Sequence, residues 1–195
     1  MTKSPAAAVL DSIVAHVLAP DLKSMGFRKK SRHWSHEAGE THRGVTVQAS
    51  QFNVTSDSRF TVEIGASFVA LGHPVPSAPG AWGTVVRRRL SGLRSEPIDE
   101  WFAFDALDEA TIERAGADLD RKWARLGRPF LTALQSPQGL CDFVCETGSA
   151  ELALEVLDRV AVPLGDEARQ SQLARIAADR AAARAAARAR AGSDR

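Results

Sequence analysis

Val9, Leu10, Ile13, Val14, Val17 and Leu18 recur with the 3.6-residue period of a helix. The Ser4-Pro5 pair before them supplies an N-cap and a first helical residue that needs no N–H. Pro20 should kink or break this helix, because its ring collides with the carbonyl of His16. Leu22 and Met25 carry the apolar side on to Gly26, a suitable residue just past a helix end. From residue 32 the period changes to two. Trp34 lies in a first short strand and Glu37-Ala38-Gly39-Glu40 supplies a turn. Val45, Val47 and Ala49 then alternate with polar residues. A second turn around Thr55-Ser56-Asp57-Ser58 leads to Phe60, Val62, Ile64, Ala66 and Phe68, which alternate with Thr61, Glu63, Gly65 and Ser67. Three antiparallel strands with one apolar face follow.

The stretch from Gly72 to Gly80 holds three prolines among its nine residues and reads as a loop. Trp82 to Leu93 fits a short helix or an edge strand equally well, and Ile98 to Phe104 has the character of a fourth strand. From Asp108 the chain reads as helical. Ile112, Ala115, Leu119 and Trp123 form a stripe ending at Gly127, Pro129 restarts a short helix, Ser136-Pro137 repeats the capping signal, and Ser149 caps another helix that Pro163-Leu164-Gly165 ends. Beyond Asp166 only Leu173 and Ile176 are large and apolar, while Arg180, Arg184 and Arg188 recur at every fourth position among alanines. The expected fold is α+β: an N-terminal helix on an antiparallel sheet of about four strands, followed by a helical C-terminal half. Residues 1–165 form one domain (sheet 32–104, helices 106–165), and 166–195 are an Ala/Arg-rich helical tail, exposed from about residue 178.

Composition adds little. With 44% hydrophobic and 25% charged residues the 195-residue chain has material for an ordinary core, and 25 basic against 24 acidic residues leave no overall field to drive it onto nucleic acid. The first residues read as neither a signal peptide nor a membrane span, so a cytoplasmic protein with no membrane partner is expected. Cys141 and Cys145, the two cysteines, suit reduced thiols rather than a disulfide framework.

No arrangement of residues announces catalysis. There is no Gly-x-Ser-x-Gly, Walker loop, Gly-x-Gly-x-x-Gly or His-Glu-x-x-His. His33 and His36 fall on opposite faces of a strand, and the two cysteines lack further ligands nearby in sequence, so neither a metal site nor a cofactor is expected. Binding candidates are fewer and sharper. Gln51 continues the inward phase of Val45, Val47 and Ala49, and an inward amide either satisfies a loop carbonyl or lines a pocket at the sheet end. Arg87, Arg88 and Arg89 would form a basic patch with Arg28, Lys29, Lys30 and Arg32 if the sheet brought them together, although Asp99 competes for one arginine. Trp101 is a large amphipathic side chain suited to a core or an interface.

Several segments, in this order, resemble a bacterial family known as domain of unknown function 4304. They are Gly26-Phe27-Arg28-Lys29-Lys30, Gln51-Phe52, Phe60-Thr61-Val62-Glu63-Ile64-Gly65, Arg87-Arg88-Arg89-Leu90 with Leu93, and Asp99-Glu100-Trp101-Phe102, spanning roughly residues 8–145. The resemblance implies a helix-sheet-helix domain, sometimes encoded beside toxin and immunity genes, with no catalytic residues to transfer. Asn or a similar residue is usual where Glu63 stands. On this footing the expected function is a non-enzymatic module that binds another protein. The alternatives are nucleic-acid binding through the arginine-rich segments and an enzyme whose polar groups meet only in three dimensions.

Overall fold

The structure, a computed structural model, describes residues 3–74, 86–93 and 101–193. It is an α+β fold: N-terminal helices, an antiparallel sheet, and a helical C-terminal half. The contacts divide the chain into two compact units, Met1–Thr132 and Ala133–Arg195.

In the first unit, helix α1 (Pro5–Val17) starts as its sequence dictates, with the Ser4 hydroxyl accepting from the Ala7 N–H at 3.3 Å. It buries Leu10, Ile13 and Val14, and Leu18 just beyond, while Val9 and Val17 lie half-exposed at the stripe's edges. Pro20, lacking an N–H for the His16 carbonyl, separates it from α2 (Ala19–Ser24). Gly26, at a φ of +83°, then turns the chain into the sheet.

Six strands form that sheet: β1 (Arg28–Lys30), β2 (His33–Ala38), β3 (Thr41–Ala49), β4 (Ser58–Phe68), β5 (Val86–Arg89) and β6 (Phe102–Phe104). Their order is β1-β2-β3-β4-β5, with β6 pairing β4 at its other end, Phe60 opposite Phe102. Strand phase follows the hydrophobic alternation. Val45, Val47, Phe60, Val62, Ile64, Ala66 and Phe68 are buried on one face, joined by Phe102, whose ring stacks on Phe60 at 5.0 Å between centroids. The count exceeds four because the Arg28–Lys30 segment pairs with β2 and the ambiguous stretch before Leu93 supplies β5 followed by a 3-10 turn, Leu90–Leu93. Residues 75–85 and 94–100, which include most of the proline-rich stretch, Trp82, Asp99 and the start of the last expected strand, lie outside the described residues.

β4 departs from the expected half-buried pattern. Thr61, Glu63 and Ser67, on its polar phase, are buried too. The strand is central, with β3 on one side and β5 and β6 on the other, and long neighbouring side chains fold over it. Glu63 receives Arg87 and lies 3.8 Å from Nε of Arg89, and the Ser67 hydroxyl donates to the Pro74 carbonyl at 2.6 Å.

Helix α3 (Glu109–Lys122), capped by Asp108, packs against α1 and β6. Instead of stopping at Gly127 it runs through a π turn, Trp123–Gly127, into α4 (Arg128–Ala133). Pro129 explains the turn: it cannot donate to the Arg125 carbonyl, and the widened turn routes the Arg128 N–H to Trp123 instead. Gly127 is required there, since a Cβ would stand 2.5 Å from the Trp123 ring. Pro163 follows a second π turn, Leu157–Ala161, at the same spacing.

The second unit contains α5 (Pro137–Thr147), α6 (Ala150–Val156), α7 (Val162–Leu164) and α8 (Glu167–Ser193). Ser136 caps α5 by accepting from the Gly139 N–H at 3.0 Å. Cys141 and Cys145 lie on α5 as free thiols, and burial pushes that of Cys141 up to about 11. The start of α8 is fastened down, with Leu173 buried and Arg169 reaching Asp142 at 2.7 Å and Asp166 at 2.6 Å. Beyond Ala177 the described side chains of α8 face solvent.

Candidate functional site

Side chains on the polar phase of the sheet define its outer face. A row of register partners crosses five strands there: Lys30, His33, Thr46, Glu63 and Arg89. His33 and Thr46 share a 2.8 Å hydrogen bond, and burial lowers the imidazole's proton affinity. His36 points the other way, as strand geometry requires. Its Nδ1 accepts from the buried Arg43 guanidinium at 3.0 Å, and burial followed by that charge lowers its pKa. Among the described residues no group of three His, Cys, Asp or Glu side chains is placed to hold a metal.

Where β3 gives way to β4, the outer face ends in a cleft of about 490 Å³. Gln48, Ser50 and Gln51 line one side, with Phe52, Arg59 and Trp101 around them. The turn that carries these groups is tightly fastened. Asn53 makes a two-point clamp on Arg59, accepting its N–H at 2.8 Å and donating to its carbonyl at 3.0 Å, as a neighbouring strand would. The Ser58 hydroxyl donates to the Val54 carbonyl at 2.6 Å, and the Ser50 hydroxyl accepts from the Phe52 N–H at 3.2 Å. The Phe52 ring is nevertheless 81% exposed. Nearby the turn after β6 is tied on by the Ala106 N–H donating to the Thr55 carbonyl at 2.8 Å. Leu107 of that turn is 78% exposed and Val54 58%.

The sequence candidates separate on this framework. Gln51 does line the cleft, but it is exposed rather than inward, because β3 ends at Ala49 and the chain has already turned. Trp101, just before β6, forms part of the cleft wall, and Arg89 lays its guanidinium over the indole at 5.1 Å. Arg87 is turned to Glu63, while Arg88 occupies the opposite phase, across from Ile64, and donates to the Arg87 carbonyl at 2.9 Å. The wider basic patch does not form: β1 and β5 are opposite edges of the sheet with three strands between them, a separation of roughly 19 Å at the usual strand spacing. Phe52, Arg59 and Leu107 did not stand out as site residues. Phe52 does carry two sequence signals, its place in the Gln51-Phe52 segment and the reversal of hydrophobic phase at Phe52 and Val54.

The family model described as Domain of unknown function (DUF4304) matches residues 18–122, which contain the whole sheet and the cleft. No curated protein and no solved structure matches the chain.

Proposed function

From the premise that the chain belongs to the DUF4304 family, we propose that it is a non-enzymatic module that docks another protein at the turn end of its sheet. The observation that carries this reading is the exposure of Phe52, Val54 and Leu107 from two hydrogen-bonded turns beside a cleft walled by Trp101 and Arg59. Large apolar groups exposed near one another on a fastened backbone mark a surface for a partner to cover. Trp, Arg and their aromatic neighbours are also the residues that dominate binding energy at protein interfaces. A bacterial setting in defence or toxin immunity, implied by the family resemblance, suits a module that acts by occupying its target, and a cytoplasmic location is proposed with it. Among the described residues no helix is long and apolar enough to cross a membrane.

The test is capture of partners from the native host by wild-type protein and by Phe52→Ser, Leu107→Ser and the distant control Glu37→Ser. The reading expects a discrete partner lost with the first two variants and kept with the third. Retention by all three variants would remove the turn end from consideration.

A further inference from the structure

Helix α8 runs on to Ser193, well past its buried Leu173. Ala178, Ala181, Ala182, Ala183, Ala185 and Ala186 are all exposed, and their positions spread over about 200° of the helix. Arg180, Arg184 and Arg188 occupy positions on the remaining side, within roughly 80° of one another and about 6 Å apart along the axis.

This row does nothing for the helix that carries it. Like charges four residues apart on a helix repel and destabilise it. No acidic residue stands three or four positions from Arg180, Arg184 or Arg188 to relieve the repulsion. The helix dipole is no better explanation, because it favours cations only in the last turn and Arg180 and Arg184 come well before that. A helix serving only as a solvated spacer would gain from acids between its arginines, whereas here alanines fill every such place. A polyanion laid along the row turns that repulsion into attraction.

The same composition selects among polyanions. A helix that beds into a membrane surface or a protein groove does so with large apolar anchors, and after Ile176 there is no Leu, Ile, Val, Met, Phe or Trp. Phosphates need only a row of cations. Alanines keep the helix slim, and the major groove of duplex DNA admits an α-helix, while that of duplex RNA is too narrow. From residue 178 on there are five arginines and two aspartates, which leaves 20 basic and 22 acidic residues in the rest of the chain. The attraction is therefore confined to the end of α8.

We propose that the end of α8, from about residue 178, is a second binding element, which holds duplex DNA through its phosphates and without regard to base sequence.

The test is fluorescence anisotropy of a labelled duplex of about two helical turns, titrated with the full chain at several salt concentrations. Two variants are compared, one with Arg180, Arg184, Arg188 and Arg190 all replaced by Gln and one with all four replaced by Lys, each checked for unchanged helix content by circular dichroism. Affinity should fall roughly hundredfold for a fourfold rise in salt, the response to four neutralised phosphates. The Gln variant should lose at least roughly tenfold in affinity and most of the salt dependence, and the Lys variant should keep both. Phe52→Ser, at the turn end of the sheet, should bind the duplex as the unaltered chain does. No binding, a flat salt response, equal affinity of the Gln variant, or a Lys variant no better than it would overturn the proposal. So would displacement of the duplex by phosphatidylserine vesicles or polyglutamate at a lower concentration of charge than unlabelled duplex requires.

Discussion

Replacing Asp21 by Ala should destabilise the first unit, by an amount set by the contacts the carboxylate makes. Asp21 sits in the first turn of α2, and one oxygen accepts from the Trp123 indole N–H at 2.7 Å and from Arg128 Nε at 2.9 Å. Its other oxygen meets the second Arg128 nitrogen at 2.8 Å. Trp123 is almost fully buried beside Gly127, so its N–H has no water to turn to when the carboxylate goes. An orphaned buried donor costs about 1–3 kcal/mol. Arg128 is half exposed and adds only ~0–1 kcal/mol. The expected loss is thus about 1–4 kcal/mol, read as a lowered urea midpoint at constant m-value with tryptophan fluorescence as the signal. Asp21→Asn, which keeps an acceptor, should recover more than half of it, and Arg128→Ala should lose less than about 1 kcal/mol. Equal losses for Asp21→Ala and Arg128→Ala would refute the assignment of the energy to the buried indole.

Ile64→Ala, fully buried on central β4, should cost about 2–5 kcal/mol in the same assay, and a value near zero would mean that the strand phase is wrong. Both His33 and His36 have lowered pKa values, through burial and at His36 also through Arg43, so the unfolded chain takes up protons first as pH falls. Stability should be full above about pH 6.5 and decline as pH falls below it; His36→Gln should flatten that decline, and an unchanged slope would contradict it. Deleting residues 178–195 should lower the thermal midpoint by less than about 4 °C, because the packed part of α8 ends with Leu173 and Ile176 and the described side chains beyond Ala177 are exposed.

Much of this fold was legible because local signals and tertiary needs agreed. Ser4-Pro5 and Ser136-Pro137 start helices for reasons confined to one turn, and the alternation from Phe60 to Phe68 records which side of β4 meets the helices. Other features depend on partners far away in sequence. Gly127 and Pro129 read as a helix end, yet the backbone carries on through a π turn that absorbs the missing Pro129 N–H, and Trp123 in that turn bonds to Asp21, 102 residues earlier. Burial of Glu63 is set by Arg87 across the sheet, which no periodicity records. The site was half legible. Gln51 and Trp101, singled out for their chemistry, line the same cleft, but the turn there, fastened by the Asn53 clamp, takes Gln51 out of the inward phase. Arg88 lies on the opposite face from Arg87 and Arg89 because faces alternate along a strand.

Docking at the turn end is tested most directly by site-specific photo-crosslinking in the native host, with a benzophenone amino acid placed in turn at Phe52, Leu107, Glu37 and Arg175. The first two positions should yield one discrete crosslinked partner of the same mass, suppressed by Trp101→Ala introduced elsewhere in the same chain, and the last two should yield none. A partner captured from Arg175 or Glu37 but not from Phe52 would place the interface on another surface and contradict the account.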